Sequence, residues 1–141
     1  MKKIFSIILL YTFLSSCTPD NPTTPPSGAV TVKYEIILSS PLIPLAPTLA
    51  TPLINYTNGT AQNESVYDFN YGSSSWTKTV NITATRPFPT TLQSAALYIS
   101  TAGTITANIY VNGVIKATQT NQTQNSSGRH FGSVQLVHFI Q

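Results

Sequence analysis

From Val30 to Leu38 the side chains alternate. Val30, Val32, Tyr34, Ile36 and Leu38 share one parity, Thr31, Lys33, Glu35 and Ser39 the other, and Ile37 alone breaks the rule. A period of two sends successive side chains to opposite faces of an extended chain, so this stretch predicts a half-buried strand. The same pattern sets Trp76, Val80, Ile82 and Ala84 against Thr77, Thr79, Asn81, Thr83 and Thr85, and Ile105, Ala107 and Ile109 against Thr104, Thr106 and Asn108. Lys78 falls on the apolar parity and is expected near a strand end, where its stem packs and its amine reaches water. Further strands are expected at 53–57, ended by the turn dipeptide Asn58-Gly59, and at 66–71, 92–100 and 130–140, with 118–128 a polar loop. Charged residues make up 8% of the chain, against about 25% in ordinary domains. Its solvated faces must therefore be built from Thr, Ser, Asn and Gln, which suits β-structure, where Thr is well tolerated and strands alternate polar with apolar.

About seven or eight short strands separated by turns, with no helical period after the first residues, predict an all-β fold. The expected architecture is an antiparallel, immunoglobulin-like β-sandwich over residues 30–141. An inter-sheet disulfide is impossible, because Cys17 is the single cysteine. At Val111-Asn112-Gly113 a three-residue hairpin loop with Gly113 left-handed is expected. It pairs Tyr110 with Val114, Ile109 with Ile115 and Ala107 with Ala117, bringing apolar residues together.

The chain opens with Lys2 and Lys3 and an apolar run from Ile4 to Leu14, broken by Ser6 and Thr12. A membrane span needs roughly 20 apolar residues, so residues 1–16 read as a cleaved signal peptide. Leu14-Ser15-Ser16-Cys17 resembles the lipobox of bacterial lipoproteins. That resemblance implies cleavage before Cys17, acylation of its thiol and new amino terminus, and attachment to an envelope membrane, the outer one being expected. More than one acyl chain gives a stable anchor. Residues 17–29, rich in Pro and Thr, form the expected tether between lipid and domain. Removing residues 1–16 of 141 leaves 125 residues, with Lys+Arg 5 against Asp+Glu 4. The basicity of the precursor is thus largely in its leader, and no basic patch points to nucleic acid.

The motifs Val32-Lys33-Tyr34-Glu35-Ile36, Ile54-Asn55-Tyr56-Thr57-Asn58, Trp76-Thr77-Lys78-Thr79-Val80 and Ile109-Tyr110-Val111-Asn112-Gly113 follow one another in order. Together they resemble the MmpS family of small membrane-anchored envelope proteins, over residues 30 to about 139. The resemblance implies a sandwich domain without catalysis that serves as an accessory to large membrane transporters. A lipid anchor stands here where that family has a transmembrane helix, and the proline-rich insert at 41–52 is extra.

That insert carries Leu42, Ile43, Leu45 and Leu49 among its prolines. It is expected to cover a sheet edge, the alternative being an exposed apolar loop that touches a partner or lipid. Tyr67, Phe69, Tyr71 and Trp76 offer a similar choice. Large residues of one parity fill a sandwich core, whereas exposed rings stack on sugars. Trp76 and Tyr71, with Leu42, Ile43 and Leu45, are therefore the candidate contact residues, and Cys17 the lipid-attachment site.

Catalytic groups are scarce. Glu64 and Asp68 on one strand would stand roughly 13 Å apart, beyond the reach of a glycosidase pair. On one strand His130 and His138 would be roughly 26 Å apart, too far to share a metal. No phosphate loop is present and no cofactor is expected. The sequence predicts a non-enzymatic module of the envelope, bound to a membrane through acylated Cys17 and working with an envelope protein complex. A surface-exposed glycan- or peptide-binding module is the alternative.

Overall fold

The computed structural model describes residues 28–44 and 51–141. The leader, Cys17, the tether as far as residue 27, and Leu45 and Leu49 of the insert lie outside the described residues. The described residues form β1 (Ala29–Leu38), β2 (Ile54–Thr57), β3 (Asn63–Val66), β4 (Ser75–Thr83), β5 (Phe88–Ser94) and β6 (Leu97–Ile99). They continue through β7 (Thr104–Val111), β8 (Val114–Gln122), β9 (Gln124–Ser126), β10 (Arg129–Gly132) and β11 (Gln135–Ile140). The fold is all-β and antiparallel, a sandwich of two four-stranded sheets in the orders β4-β1-β7-β8 and β11-β5-β2-β3. A small third sheet, β6-β10-β9, accompanies them. There are more strands than the sequence predicts, because several expected segments divide.

The alternation places the core. Val30, Val32, Tyr34, Ile36 and Leu38 of β1 and Ile105, Ala107 and Ile109 of β7 face inward and are buried. They join Ile54 and Tyr56 of β2 and Phe88 and Leu92 of β5 in one apolar cluster. Tyr34 ties the two large sheets together. Its ring lies 5.6 Å from that of Tyr56, and its hydroxyl donates to the carbonyl of Thr57 at 2.9 Å. Burial raises the Tyr34 phenol well above its usual pKa, so it remains a neutral donor in the core.

The insert enters this core. Leu42 is 1% exposed and forms an antiparallel bridge to Ile99. Its N–H donates to Ser73 O, its carbonyl accepts from Gly72 N, and Ile43 N donates to Tyr98 O, each at 2.8 Å. Residues 41–44 therefore lie sewn between the loop before β4 and the edge of β6.

Four local expectations need correction. The strand expected at 66–71 lies earlier, as β3. Asn58 causes the shift: its Oδ1 accepts from the N–H of Thr60 and of Gln62 and from the Thr60 hydroxyl, closing the turn so that Asn63 pairs with Thr57. Segment 92–100 splits into β5 and β6, because Ser94 N and Ala95 N leave the ladder for Val134 O and Leu53 O. Residues 118–128 are largely paired, as the end of β8 and as β9. Segment 130–140 breaks after Gly132, with Val134 buried between β10 and β11.

The hairpin is also tighter than expected. Val111 pairs with Val114 and Tyr110 with Ile115 across a two-residue turn, and the register then shifts so that Ile109 faces Ala117. Lys116 is the extra residue of this bulge. It sets Ile109 opposite Ala117 but leaves Ala107 opposite Gln119, so the three pairs expected of a three-residue loop do not form. Asn112 and Gly113 have φ of 50° and 80°, as a turn with both central residues left-handed requires. Nothing lies within 4 Å of a Cβ built on Gly113, so Gly113→Val tests the backbone alone. It is expected to cost about 1–2 kcal/mol, read as a lower melting temperature; an unchanged midpoint would contradict the turn.

Both ends of the described domain meet at one pole. The Arg86 guanidinium reaches the carbonyls of Gly28 and Gln141, each at 3.5 Å. Asn112 N donates to Thr31 O at 2.8 Å beside them. The opposite pole carries Leu38, Thr104 and Gln122, neighbours through the β1–β7 and β7–β8 pairings.

Candidate functional site

The candidate contact residues are dispersed by the fold. Trp76, near the start of β4, is 5% exposed. Its ring lies 6.1 Å from Tyr56, and its indole N–H donates to Asp68 Oδ1. Leu42 is buried beside Ile99. Neither offers an open face to a ligand. Tyr71 and Ile43 are half-buried, Tyr71 against the core, while Leu45 and Cys17 lie outside the described residues. Tyr67 is 60% exposed, so the aromatic run does not form one platform.

The carboxylates are engaged by neighbouring side chains. Glu64 accepts from the Tyr56 hydroxyl at 2.7 Å. Burial, and then this bond, raise the Tyr56 phenol above its usual pKa. Lys78 lies inside β4 rather than near the strand end expected for it, its Nζ 5.6 Å from the Tyr56 ring centroid. Glu35 gathers the densest polar group, on the outward face of β1 and β7. Its carboxylate accepts from Lys33 Nζ at 2.9 Å, Asn108 Nδ2 at 2.9 Å and Tyr110 Oη at 2.7 Å. Thr118 Oγ1 donates to Asn108 Oδ1 at 2.7 Å, extending the row to β8. Burial pushes the Glu35 pKa up, but hydrogen bonds from Lys33, Tyr110 and Asn108 and the Lys33 charge outweigh it, leaving it lowered. With its donors supplied from β1 and β7, this group pins the register of neighbouring strands.

His130 lies on β10 opposite Ile99, and His138 on β11 opposite Thr90. They belong to different sheets, so the single-strand separation does not apply. Among the described residues no three His, Cys, Asp or Glu side chains form a group able to hold a metal.

The open concavities are elsewhere. A cleft of about 440 Å³ lies where β8 meets the small sheet, walled by Thr120, Asn121, Gln122, Gln124, Phe131 and Ser133. Tyr98, Phe131 and Gln124 form one cross-strand row over β6, β10 and β9. The Tyr98 and Phe131 rings stack at 5.5 Å and 29°, which holds the Phe131 wall in place. Asn121 is fixed as well, its Nδ2 donating to Ser133 O at 2.8 Å and its Oδ1 accepting from Gln119 Nε2 at 3.3 Å. The lining of this cleft carries no charged side chain. A further hollow of about 300 Å³, at the pole of Gly28 and Gln141, is lined by Arg86, Lys116, His138 and Phe139 among others. Sequence reasoning missed the first cleft. By its sequence Phe131 falls within a single expected strand at 130–140, and Gln122 and Gln124 within an expected loop at 118–128.

No protein-family model matches this chain, and no curated protein matches it in sequence.

Proposed function

We propose that this protein is a non-enzymatic, lipid-anchored module of the bacterial envelope, working by contact with other envelope components. The run Leu14-Ser15-Ser16-Cys17, behind a basic and apolar leader and ahead of a proline-rich stretch and a β-sandwich, carries the reading. Two acyl chains or more hold such a protein stably on a bilayer. The motif resemblance to the MmpS family supports service beside a membrane transporter. In the second reading the domain binds a glycan or peptide at the cell surface, and the uncharged cleft beside the Tyr98–Phe131 stack favours it.

Cys17→Ala is expected to move the protein from the membrane fraction to the soluble fraction. Unchanged retention on membranes would overturn the anchor. Protease treatment of intact cells separates the two readings. Loss of the domain places it outside the cell and favours surface binding; survival until lysis places it in the periplasm and favours the accessory role.

A further inference from the structure

We infer that the cleft between β8 and the small sheet is a binding site for an uncharged glycan. This inference rests on the reading of the chain as an envelope module that acts by binding, and it names the ligand class. The argument begins with what the wall lacks. An anionic ligand calls for Arg, Lys or a cluster of N–H donors, and a cation calls for carboxylates. The cleft walls supply Gln122, Gln124 and Ser133 instead, together with Thr120, whose hydroxyl is shared with that of Thr106 at 2.9 Å. A hydroxyl or an amide side chain both donates and accepts hydrogen bonds. A sugar hydroxyl does the same, so the two sets match without any ionised partner.

The second part of the argument is the aromatic wall. A pyranose ring presents C–H groups on its faces and hydroxyls around its rim, so it needs an apolar plate bordered by polar groups. Phe131 supplies the apolar part of the wall, and its stacking on Tyr98 sets the orientation of the ring before a ligand arrives. Gln124 stands directly across the ladder from Phe131, at a lateral distance of about 5 Å. That spacing puts an amide beside the plate, where the rim of a stacked sugar would lie. Asn121 is a positioning residue here, since both ends of its amide are committed within the protein. The volume of about 440 Å³ falls within the range of small-molecule sites.

The test uses the full protein as purified in detergent from the cells that express it, titrated calorimetrically with cellohexaose, mannohexaose, laminarihexaose and maltohexaose. At least one is expected to bind. Because no ion pair is formed, its affinity should stay level between about 0.01 and 1 M salt. Phe131→Ala and Gln124→Ala should each weaken binding, the first by about tenfold, as loss of a stacked plate implies. Gln124 is exposed on β9, so its variant decides the question if Phe131→Ala fails to fold. Absence of binding to all four sugars would overturn the proposal. So would tighter binding of oligogalacturonate or of an extended peptide, or wild-type affinity in both variants. The assay does not depend on where the protein resides, so a failed anchor and a failed glycan site give separate results.

Discussion

Trp76→Ala is expected to destabilise the domain by about 3–5 kcal/mol, the cost of removing a large aromatic side chain from a core. The indole is 5% exposed and packs against Tyr56, which in turn packs against Tyr34 of the facing sheet. Its removal opens a void at the end of this aromatic series and takes the N–H partner from Asp68. Trp76→Phe keeps most of the volume and loses chiefly that hydrogen bond, so about 1 kcal/mol is expected. Urea unfolding of the two variants measures both values. A midpoint for Trp76→Ala equal to wild type would mean that the ring is not in the core. A folded Trp76→Ala protein should still bind at the β8 cleft, because its residues come from other strands.

Glu35→Ala should lower stability by about 2–3 kcal/mol through a different mechanism. The substitution removes the acceptor of three hydrogen bonds and leaves the amide of Asn108, a residue only 7% exposed, without its partner. A buried donor stranded in this way costs more than the bond itself contributes when made. The effect depends on pH. Since the folded protein holds the Glu35 carboxyl below its ordinary pKa, folding favours the ionised form. The stabilisation is complete above the unfolded value of about 4.3 and is lost as pH falls through the lower, folded value. Unfolding midpoints measured from about pH 6 to pH 3 should fall in the wild type and show a smaller acid-dependent loss in Glu35→Ala. Parallel curves would assign the acid response to other carboxylates.

The sequence was informative wherever one face of a strand is apolar. β1 and β7 bury their alternate residues as the period of two requires, and Lys78 occupies the inward parity of β4 over Tyr56. It was silent where both faces are polar. The second half of β8 and all of β9 read Thr118-Gln119-Thr120-Asn121-Gln122 and Gln124-Asn125-Ser126, with no hydrophobic alternation to mark a strand or choose a register. Breaks were hidden too. Gly132 ends β10 where a Cβ would stand 2.9 Å from Ile105 Cδ1, a constraint set by a strand far away in the chain. The candidate site failed for a related reason. Trp76 and Leu42 stand out by apolarity, the same property that buries them. The cleft is made of amides and hydroxyls that look like ordinary solvated residues until the strands place them around Phe131.

Arg86 joins Gly28 and Gln141 at one pole, so both ends of the described domain lie on one side of it. The same pole carries Arg86, Lys116 and the 112–113 turn, and under the proposed lipid anchor it is the end that would face the bilayer. Two cationic side chains on that face would settle against anionic headgroups. From there β1 runs through ten residues, about 33 Å in extended form, to the pole where Gln122 borders the cleft beside Phe131. With the proposed anchor the domain would stand as a pedestal, the cleft held one strand length out from the pole that carries the two cations.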